Sequence, residues 1–217
     1  MTLRLHYHPL SSFCWKALIA LYENDTPFEP VFVDLSKQED RDAFYKLWPI
    51  GKFPVIEDTA REWMVPESNI IIEYLDQHYP GRTRLLPADP DLARQTRMRD
   101  RFFDLYVQTP MQKIVGDRLR PDGQKDALGV EQARAQLRTA CALVESDIGG
   151  KWVMGDAFTM ADCAAAPALT YADLVMPLAA EFPKTMAYLN RLRARPSFAR
   201  VLKEAEPYRH MFPAEKT

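Results

Sequence analysis

Two serines near the N-terminus lie where side chains could hold an anion. Residues 3–8 alternate between apolar and polar types and then meet Pro9, as a strand that ends in a loop would. A helical pattern begins at Ser11 or Ser12. A helix N-terminus offers free N–H groups and positive partial charge, so hydroxyls there can help to bind an anion. The same hydroxyls can simply cap the helix, and the residues alone favour capping.

Tyr7 and Cys14 flank these serines and carry the other reactive groups of the segment. Ser11 to Cys14 has the spacing of a Cys-x-x-Cys redox pair, with serine in place of the first cysteine. A nucleophilic thiol needs an exposed position at the helix start and a lowered pKa. Because Cys14 lies one turn inside the helix, we expect a buried and unreactive cysteine. For Tyr7, the strand pattern indicates a residue that packs beneath the serines.

Two later segments join polar groups to special backbone positions. The loop Lys52-Phe53-Pro54 leads into a predicted strand, and its X-Pro bond can be cis in a tight turn at a small free-energy cost. Glu67 and Ser68 open a predicted helix, where they could hold charged ligand groups. Acidic residues and serine are also favourable in any first helical turn, so this pair alone does not identify a site.

The elements that position these residues follow from the apolar periodicity. Residues 1–80 predict the order β-α-β-α-β-β-α, which is compact enough for one α/β domain. Residues 81–91 predict a proline-rich linker, and residues 92–217 show helical patterns with a break at Pro110. We therefore predict a small α/β domain joined to an all-α domain.

Composition and charge exclude several classes of protein. The chain has 217 residues, 47% of them hydrophobic and 27% charged, with a net charge of −2. Residues 1–80 hold 7 Lys and Arg against 13 Asp and Glu, a balance of −6, and the remaining residues hold 21 against 17, a balance of +4. Neither part has the basic stripe of a nucleic-acid-binding protein. No window has the roughly 18 unbroken apolar residues that would predict a membrane span.

The three cysteines argue for a reducing compartment. Cys14, Cys141 and Cys163 are sparse and odd in number, and none forms a Cys-x-x-Cys or Cys-x-x-His pair. This pattern argues against a disulfide scaffold and against a zinc site, and we expect no metal. The N-terminus lacks the basic stretch and apolar run of a secretory signal, so we expect a cytoplasmic protein.

Four motifs in this order resemble the cytosolic glutathione transferase superfamily over essentially the whole chain. The segment 8–16 resembles the serine motif of zeta-class enzymes, with Ser11 at the first serine. The segment 52–55 is similar to the cis-proline turn of the family, and 66–68 to the Glu-Ser pair that opens its third helix. The segment 155–162, with Thr159 and Asp162, resembles its capping-box signature. The resemblance implies a thioredoxin-like domain followed by an all-helical domain.

The resemblance also implies a set of contacts to glutathione. Ser11 is the residue implied to activate the glutathione sulfur, with Tyr7 as its competitor and Ser12 as a secondary candidate. Phe53 is implied to offer its backbone to the cysteinyl part, and Lys52 to meet the glycyl carboxylate. Glu67 is implied to contact the α-ammonium, and Ser68 the α-carboxylate.

The resemblance implies a glutathione transferase that directs the thiolate at electrophilic small molecules, and it implies a homodimer. A glutathione-dependent isomerase of the maleylacetoacetate type is the alternative, although Phe13-Cys14 stands where zeta enzymes have Cys-Ser. A lyase or dehalogenase is also open, as is a non-catalytic protein-interaction module.

Two expectations concern the helical part. In several classes of the family an acidic side chain reaches glutathione across the dimer interface, and Asp104 matches that region, although its position favours a solvated helix charge. The hydrophobic acceptor substrate is expected between the domains, in a pocket for which the sequence offers Leu10, Phe103, Tyr106, Met111 and Ile114.

Overall fold

A four-stranded mixed sheet forms the centre of the N-terminal part in the computed structural model, which describes residues 2–215. Its strands are β1 (Leu3–Tyr7), β2 (Glu29–Phe32), β3 (Val55–Asp58) and β4 (Trp63–Pro66), in the order β2-β1-β3-β4. β1 runs parallel to β2 and antiparallel to β3, and β4 is antiparallel to β3. The predicted α/β domain is thus confirmed as a thioredoxin-like fold.

Three helices cover the two faces of this sheet. They are α1 (Ser12–Glu23), α2 (Gln38–Leu47) and α3 (Ser68–His78). On the α2 face the small cluster of Val33, Phe44 and Val55 is buried. On the other face α1 packs against α3 and is almost wholly buried, because it also packs against two helices of the C-terminal part.

The C-terminal part is helical, as predicted. Its helices are α4 (Pro90–Phe102), α5 (Thr109–Arg118), α6 (Ala127–Asp147), α7 (Met160–Val175), α8 (Pro183–Arg193) and α9 (Pro196–Ala205). A 3₁₀ helix, Glu206–Met211, follows. One hydrophobic core runs through both parts, since residues of β1, α1 and α3 pack in the same cluster as residues of α7 and α9. No helix within residues 2–215 is long and apolar enough to cross a membrane.

The break predicted at Pro110 does not occur. α4 continues through a π-helical segment, Phe103–Gln108, directly into α5. Thr109 donates its N–H to the carbonyl of Asp104, five residues earlier, and its hydroxyl donates to the same oxygen at 3.0 Å. Since proline has no N–H to give, a widened turn just before it lets the helix continue with few unpaired carbonyls.

The buried helix α7 begins at the predicted capping box. Asp162 accepts the N–H of Thr159 at 2.8 Å and the hydroxyl of Tyr188 at 2.6 Å, and it is fully buried. Burial raises the pKa of Asp162, and the hydrogen bonds from Tyr188, Val153 and Thr159 oppose that rise. These bonds fix α7, whose Tyr171 donates its hydroxyl to the carbonyl of Leu10 at 2.6 Å. α7 therefore holds the loop that precedes α1.

Candidate active site

The largest opening beside the N-terminus of α1 is a cavity of about 510 Å³ between the two parts of the chain. Its walls come from the loop between β1 and α1, the segment 108–119, α7 and residues 211–213. It is lined by His8, Leu10, Ser11, Ser12, Phe53, Gln108, Met111, Gln112, Val115, Gly116, Leu119, Tyr171, Met211, Phe212 and Pro213. Among these lining residues only His8 can acquire a formal charge, by protonation of its ring. The cavity therefore suits neutral, largely apolar molecules.

Ser11 lies in the wall of this cavity and is the N-cap of α1. Its Oγ accepts the N–H of Cys14 at 3.3 Å, so the helix-capping interpretation of the sequence is confirmed. Accepting that bond leaves the hydroxyl proton of Ser11 free to donate, because a hydroxyl carries one donor and two acceptor sites. Capping and donation to a bound anion are therefore compatible at this residue. Ser12 also lines the cavity but is buried.

Cys14 and Tyr7 are less suited to act on a bound thiol. Cys14 is fully buried, and burial raises the pKa of its thiol to about 12, so it stays protonated and unreactive, as expected from the sequence. Tyr7 does not line the cavity. Burial, with the charge of Glu204 nearby, raises the pKa of its phenol.

The sheet register gathers three segments at one end of the sheet. His6 of β1 is paired with Val55 of β3, and Val55 is paired with Pro66 of β4. The ends of these strands therefore bring the β1–α1 loop, Phe53 and Glu67 into one neighbourhood. The two proposed glutathione segments and Ser11 share that end.

The Phe53-Pro54 peptide bond is cis, as the sequence predicted. Phe53 lines the cavity, and its ring stacks on that of His8, with centroids 5.9 Å apart. Lys52 precedes it and is exposed, and within residues 2–215 its ammonium has no acidic partner. A positive charge beside the cavity is thus available to an anionic ligand group.

Glu67 has a backbone conformation that few residues other than glycine adopt. Its φ of 69° lies in the left-handed region, and it is the N-cap of α3 without a side-chain capping bond. Strain of this kind costs about 1–3 kcal/mol and is concentrated at functional sites. The exposed carboxylate of Glu67 and the buried Ser68 after it lie where α3 begins, outside the residues that line the cavity.

Asp104 is not the solvated helix charge that the sequence predicted. It is 7% exposed, and its Oδ2 lies 2.8 Å from Nζ of Lys16, on α1. The same ammonium lies 2.7 Å from Oδ1 of Asp100, and both Lys16 and Asp100 are 1% exposed. The Asp104 carboxylate is thus held inside the chain by Lys16.

Two of the five residues that the sequence offered for an acceptor pocket lie in the wall of this cavity. Leu10 and Met111 line the cavity, whereas Phe103 and Ile114 are core residues and Tyr106 lines a separate cavity of about 220 Å³. Phe103 and Tyr106 lie in the π-helical segment, whose wider turn gives side chains directions that α-helical spacing does not predict. The sequence assigned no role to His8, although it opens the segment 8–16, and no motif contained Gln108 or Tyr171.

Within residues 2–215 no three His, Cys, Asp or Glu side chains are arranged to hold an ion. The three cysteines are free and buried.

Family models match both parts of the chain. One, described as the N-terminal domain of glutathione S-transferase, matches residues 5–83, and one described as the C-terminal domain matches residues 127–191. A glutathione S-transferase of Pseudomonas putida is 26% identical over 219 residues, 94% of this chain and 93% of that protein. The glutathione S-transferase-like protein LUC7 of Fusarium is 33% identical over 172 residues, 76% of this chain and 74% of that protein.

Solved structures are similar over nearly the whole chain. A glutathione S-transferase of Methylobacterium radiotolerans, in complex with glutathione sulfonate, has a TM-score of 0.79 at 26% identity and covers 99% of this chain and 96% of its own. One from Methylobacillus flagellatus, with glutathione bound, has a TM-score of 0.84 at 23% identity over 92% of this chain and 98% of its own. The second likeness is one of fold.

Proposed function

The chain belongs to the glutathione S-transferase family, and from that premise we propose that it transfers the glutathione thiolate to neutral, hydrophobic electrophiles, with Ser11 as the donor to the sulfur. One observation carries the proposal: the Ser11 hydroxyl caps α1, keeps its own proton, and faces an uncharged cavity. The sulfur and the electrophile can therefore meet at one helix N-terminus.

The proposed chemistry favours the thiolate. An unperturbed thiol has a pKa of about 8.5, so most of it is protonated at neutral pH. The Ser11 hydroxyl would donate a charge-assisted hydrogen bond to the sulfur anion, and the N-terminus of α1 would add a favourable field. The thiol proton leaves to solvent, and the thiolate forms a C–S bond at the electrophilic carbon. In a substitution the bond to the leaving group breaks and that group departs as an anion; in an addition a C=C π bond or an epoxide C–O bond breaks, and solvent protonates the resulting anion. No step in this scheme needs a metal.

The rest of the tripeptide is proposed to lie along the end of the sheet. Phe53 would pair its backbone with the cysteinyl unit, and the free ammonium of Lys52 would attract the glycyl carboxylate. Glu67 would accept from the α-ammonium, while the first turn of α3 with Ser68 would hold the α-carboxylate. Each proposed partner has the charge opposite to that of its ligand group, or the dipole that suits it.

The cavity argues against the isomerase alternative. Maleylacetoacetate carries two carboxylates, and a site for it needs cations, whereas no Lys or Arg is found among the lining residues that the structure describes. The strained backbone of Glu67 argues against a non-catalytic module, because folding alone does not require a left-handed conformation at this residue.

A homodimer in the cytoplasm completes the proposal. Exposed apolar side chains lie on both parts of the chain, with Trp63 63% and Tyr106 58% exposed, which is typical of a surface that another copy covers. Three buried free cysteines fit a reducing compartment, where glutathione is available as the thiol.

Retention on immobilised glutathione, followed by rate measurements, tests the function. We expect folded protein to be retained, to be eluted by free glutathione, and to conjugate at least one of a halide, an epoxide and an enone. Glu67→Gln should weaken retention at least about tenfold, since it removes a charge-assisted bond worth about 1.5–3 kcal/mol. The exposed Glu131→Gln on α6 is the matched control. Folded protein that is neither retained nor active would refute the proposal.

A further inference from the structure

Gln108 is a buried amide without a partner in the wall of the cavity. It is 2% exposed, and its Oε1 is buried with no hydrogen-bond partner among the described residues. Its Nε2 makes no hydrogen bond within residues 2–215 either, but it is not fully buried, so the N–H donor is the part of this amide that a ligand can reach, whereas Oε1 is enclosed. A polar group buried in this way costs free energy unless a ligand or a water completes its bonding.

The backbone explains why Gln108 faces the cavity. It is the last residue of the π-helical segment Phe103–Gln108, the irregular turn before Pro110. Such single π turns inside α-helices occur frequently at functional sites. The turn directs a glutamine into a space between two domains, at a helix position where an apolar residue would pack well.

His8 supplies a second neutral donor in the same cavity. Its Nδ1 accepts the N–H of Leu10 at 3.2 Å, so the neutral ring carries its proton on Nε2. Burial lowers the pKa of His8, which keeps the ring neutral at physiological pH. The cavity therefore offers N–H donors without a formal cation, an arrangement that suits an uncharged molecule carrying an oxygen.

We propose that Gln108 donates its amide N–H to the carbonyl oxygen of the acceptor substrate and so selects α,β-unsaturated carbonyl compounds. This inference rests on the proposed function. The sulfur anion forms a C–S bond at the β-carbon, the C=C π bond breaks, and its electron pair moves to the carbonyl oxygen. Solvent then protonates the α-carbon, which replaces the proton lost by the thiol. A donor at that oxygen stabilises the charge as it develops.

The test compares two substrates of similar size that share a phenyl ring, 4-phenyl-3-buten-2-one and benzyl chloride. Gln108→Met keeps the length of the side chain and removes the amide. We expect it to lower kcat/KM for the enone at least about tenfold, the loss typical of a removed donor, and to change that for benzyl chloride less than about twofold. Gln112→Met, an exposed glutamine in the same wall, should alter both rates by one common small factor.

Thermal unfolding distinguishes a selective role from a structural one. Gln108→Met should keep or raise Tm, because it removes an unpaired buried acceptor. Equal losses for both substrates, no loss for the enone, or a lowered Tm with loss of both activities would each overturn the proposal.

A binding measurement separates this inference from the proposed function. If the wild-type protein is neither retained on glutathione nor active on any of the three electrophile classes, the proposed function fails, and binding of the unreactive ketone 4-phenyl-2-butanone still decides the role of Gln108. We expect wild type to bind this ketone at least about threefold more tightly than Gln108→Met, and both to bind butylbenzene equally. Equal affinities of the two proteins for the ketone would overturn the proposal.

Discussion

The Ser11 hydroxyl accepts the N–H of Cys14 and keeps one proton, so the same atom can support α1 and a ligand. A substitution at this residue therefore has two effects with different readouts. Loss of the cap lowers stability by about 0.5–2 kcal/mol whether or not a ligand is present. Loss of the donor affects only the bound sulfur.

Ser11→Ala is expected to raise the pKa of bound glutathione by about one unit. A hydrogen bond to a charged group contributes about 1.5–3 kcal/mol, and one pKa unit corresponds to about 1.36 kcal/mol. Ultraviolet titration of the thiolate measures the shift. Ser11→Thr, which keeps a hydroxyl, should restore most of it, and Cys14→Ala should leave it unchanged. A thiolate pKa in Ser11→Ala equal to that of wild type would reject the assignment.

Some residues of this site can be predicted from the sequence, and others cannot. Ser11 and Phe53 are detectable because each belongs to a short contiguous segment, a helix start or an X-Pro turn. Gln108 is not, since its proposed role depends on the π-helical segment and on a cavity whose other walls come from residues more than 60 positions away, such as Tyr171. Residues 211–213 close the cavity from the far end of the chain, and no local pattern predicts that.

At the level of elements, an ion cluster joins α1 to α4 and the π-helical segment. Lys16 lies between Asp100 and Asp104, two carboxylates against one ammonium, in a nearly dry environment. The periodicity of α1 predicted its apolar face but not a lysine buried within it. A buried charge is compatible with folding only with its partners, and these lie more than 80 residues away.

Lys16→Met should destabilise the protein by about 3–5 kcal/mol, because it leaves two buried carboxylates without a cation. For a chain of this size that corresponds to a fall in Tm of roughly 10 °C, measurable by calorimetry. Lys46→Met, at an exposed lysine of α2, is the matched control and should leave Tm within about 1 °C. Adding Asp100→Asn and Asp104→Asn to Lys16→Met should recover stability. No recovery would show that the lysine stem, and not its charge, is what matters.

The same cluster gives the protein a pH-dependent stability term. Burial raises the pKa of Asp100 to about 6 from its ordinary 3.8, with the charge of Asp104 adding to the rise and those of Lys16 and Arg101 opposing it. Between about pH 4 and 6 the folded state then keeps a proton that the unfolded state has lost. Stability from this group is therefore present at low pH and is lost as pH rises toward 6.

Asp100→Asn should abolish this term. Two pKa units correspond to about 3 kcal/mol. The free energy of unfolding of the variant should therefore rise, relative to that of wild type, by up to that amount between about pH 4 and pH 7, and the difference should then stay constant. Urea unfolding of both proteins at several pH values measures the difference. Asp147→Asn, at an exposed carboxylate of α6, should show no such gain. A difference that is constant over pH 4 to 7 would contradict the raised pKa of Asp100.

At the scale of the whole molecule, two apolar surfaces adjoin each other. The first surrounds a cavity of about 650 Å³ at β4 and α3, with Trp63 and Ile70 in its wall. The second surrounds the cavity of about 220 Å³, with Tyr106 in its wall. Arg97 of α4 donates two hydrogen bonds of 2.7 Å to Glu73 of α3, which also lines the first cavity, so this ion pair joins the helices that carry parts of the two surfaces. A two-fold axis would bring the first surface of one copy onto the second of another.

Trp63→Glu should therefore separate the proposed dimer. Trp63 has the side-chain type that most often dominates interface energies, at about 2 kcal/mol or more, so the dimer dissociation constant should rise at least about 30-fold. A carboxylate in its place would also have to be buried without a partner. Sedimentation velocity over a range of concentrations measures the constant. Leu128→Glu is the matched control, because Leu128 is 65% exposed and lies at the opposite end of α6 from Leu143, which lines the second surface. Leu128→Glu should leave the dimer intact. A wild-type protein that sediments as a monomer would refute this assembly, and so would a dimer that tolerates Trp63→Glu.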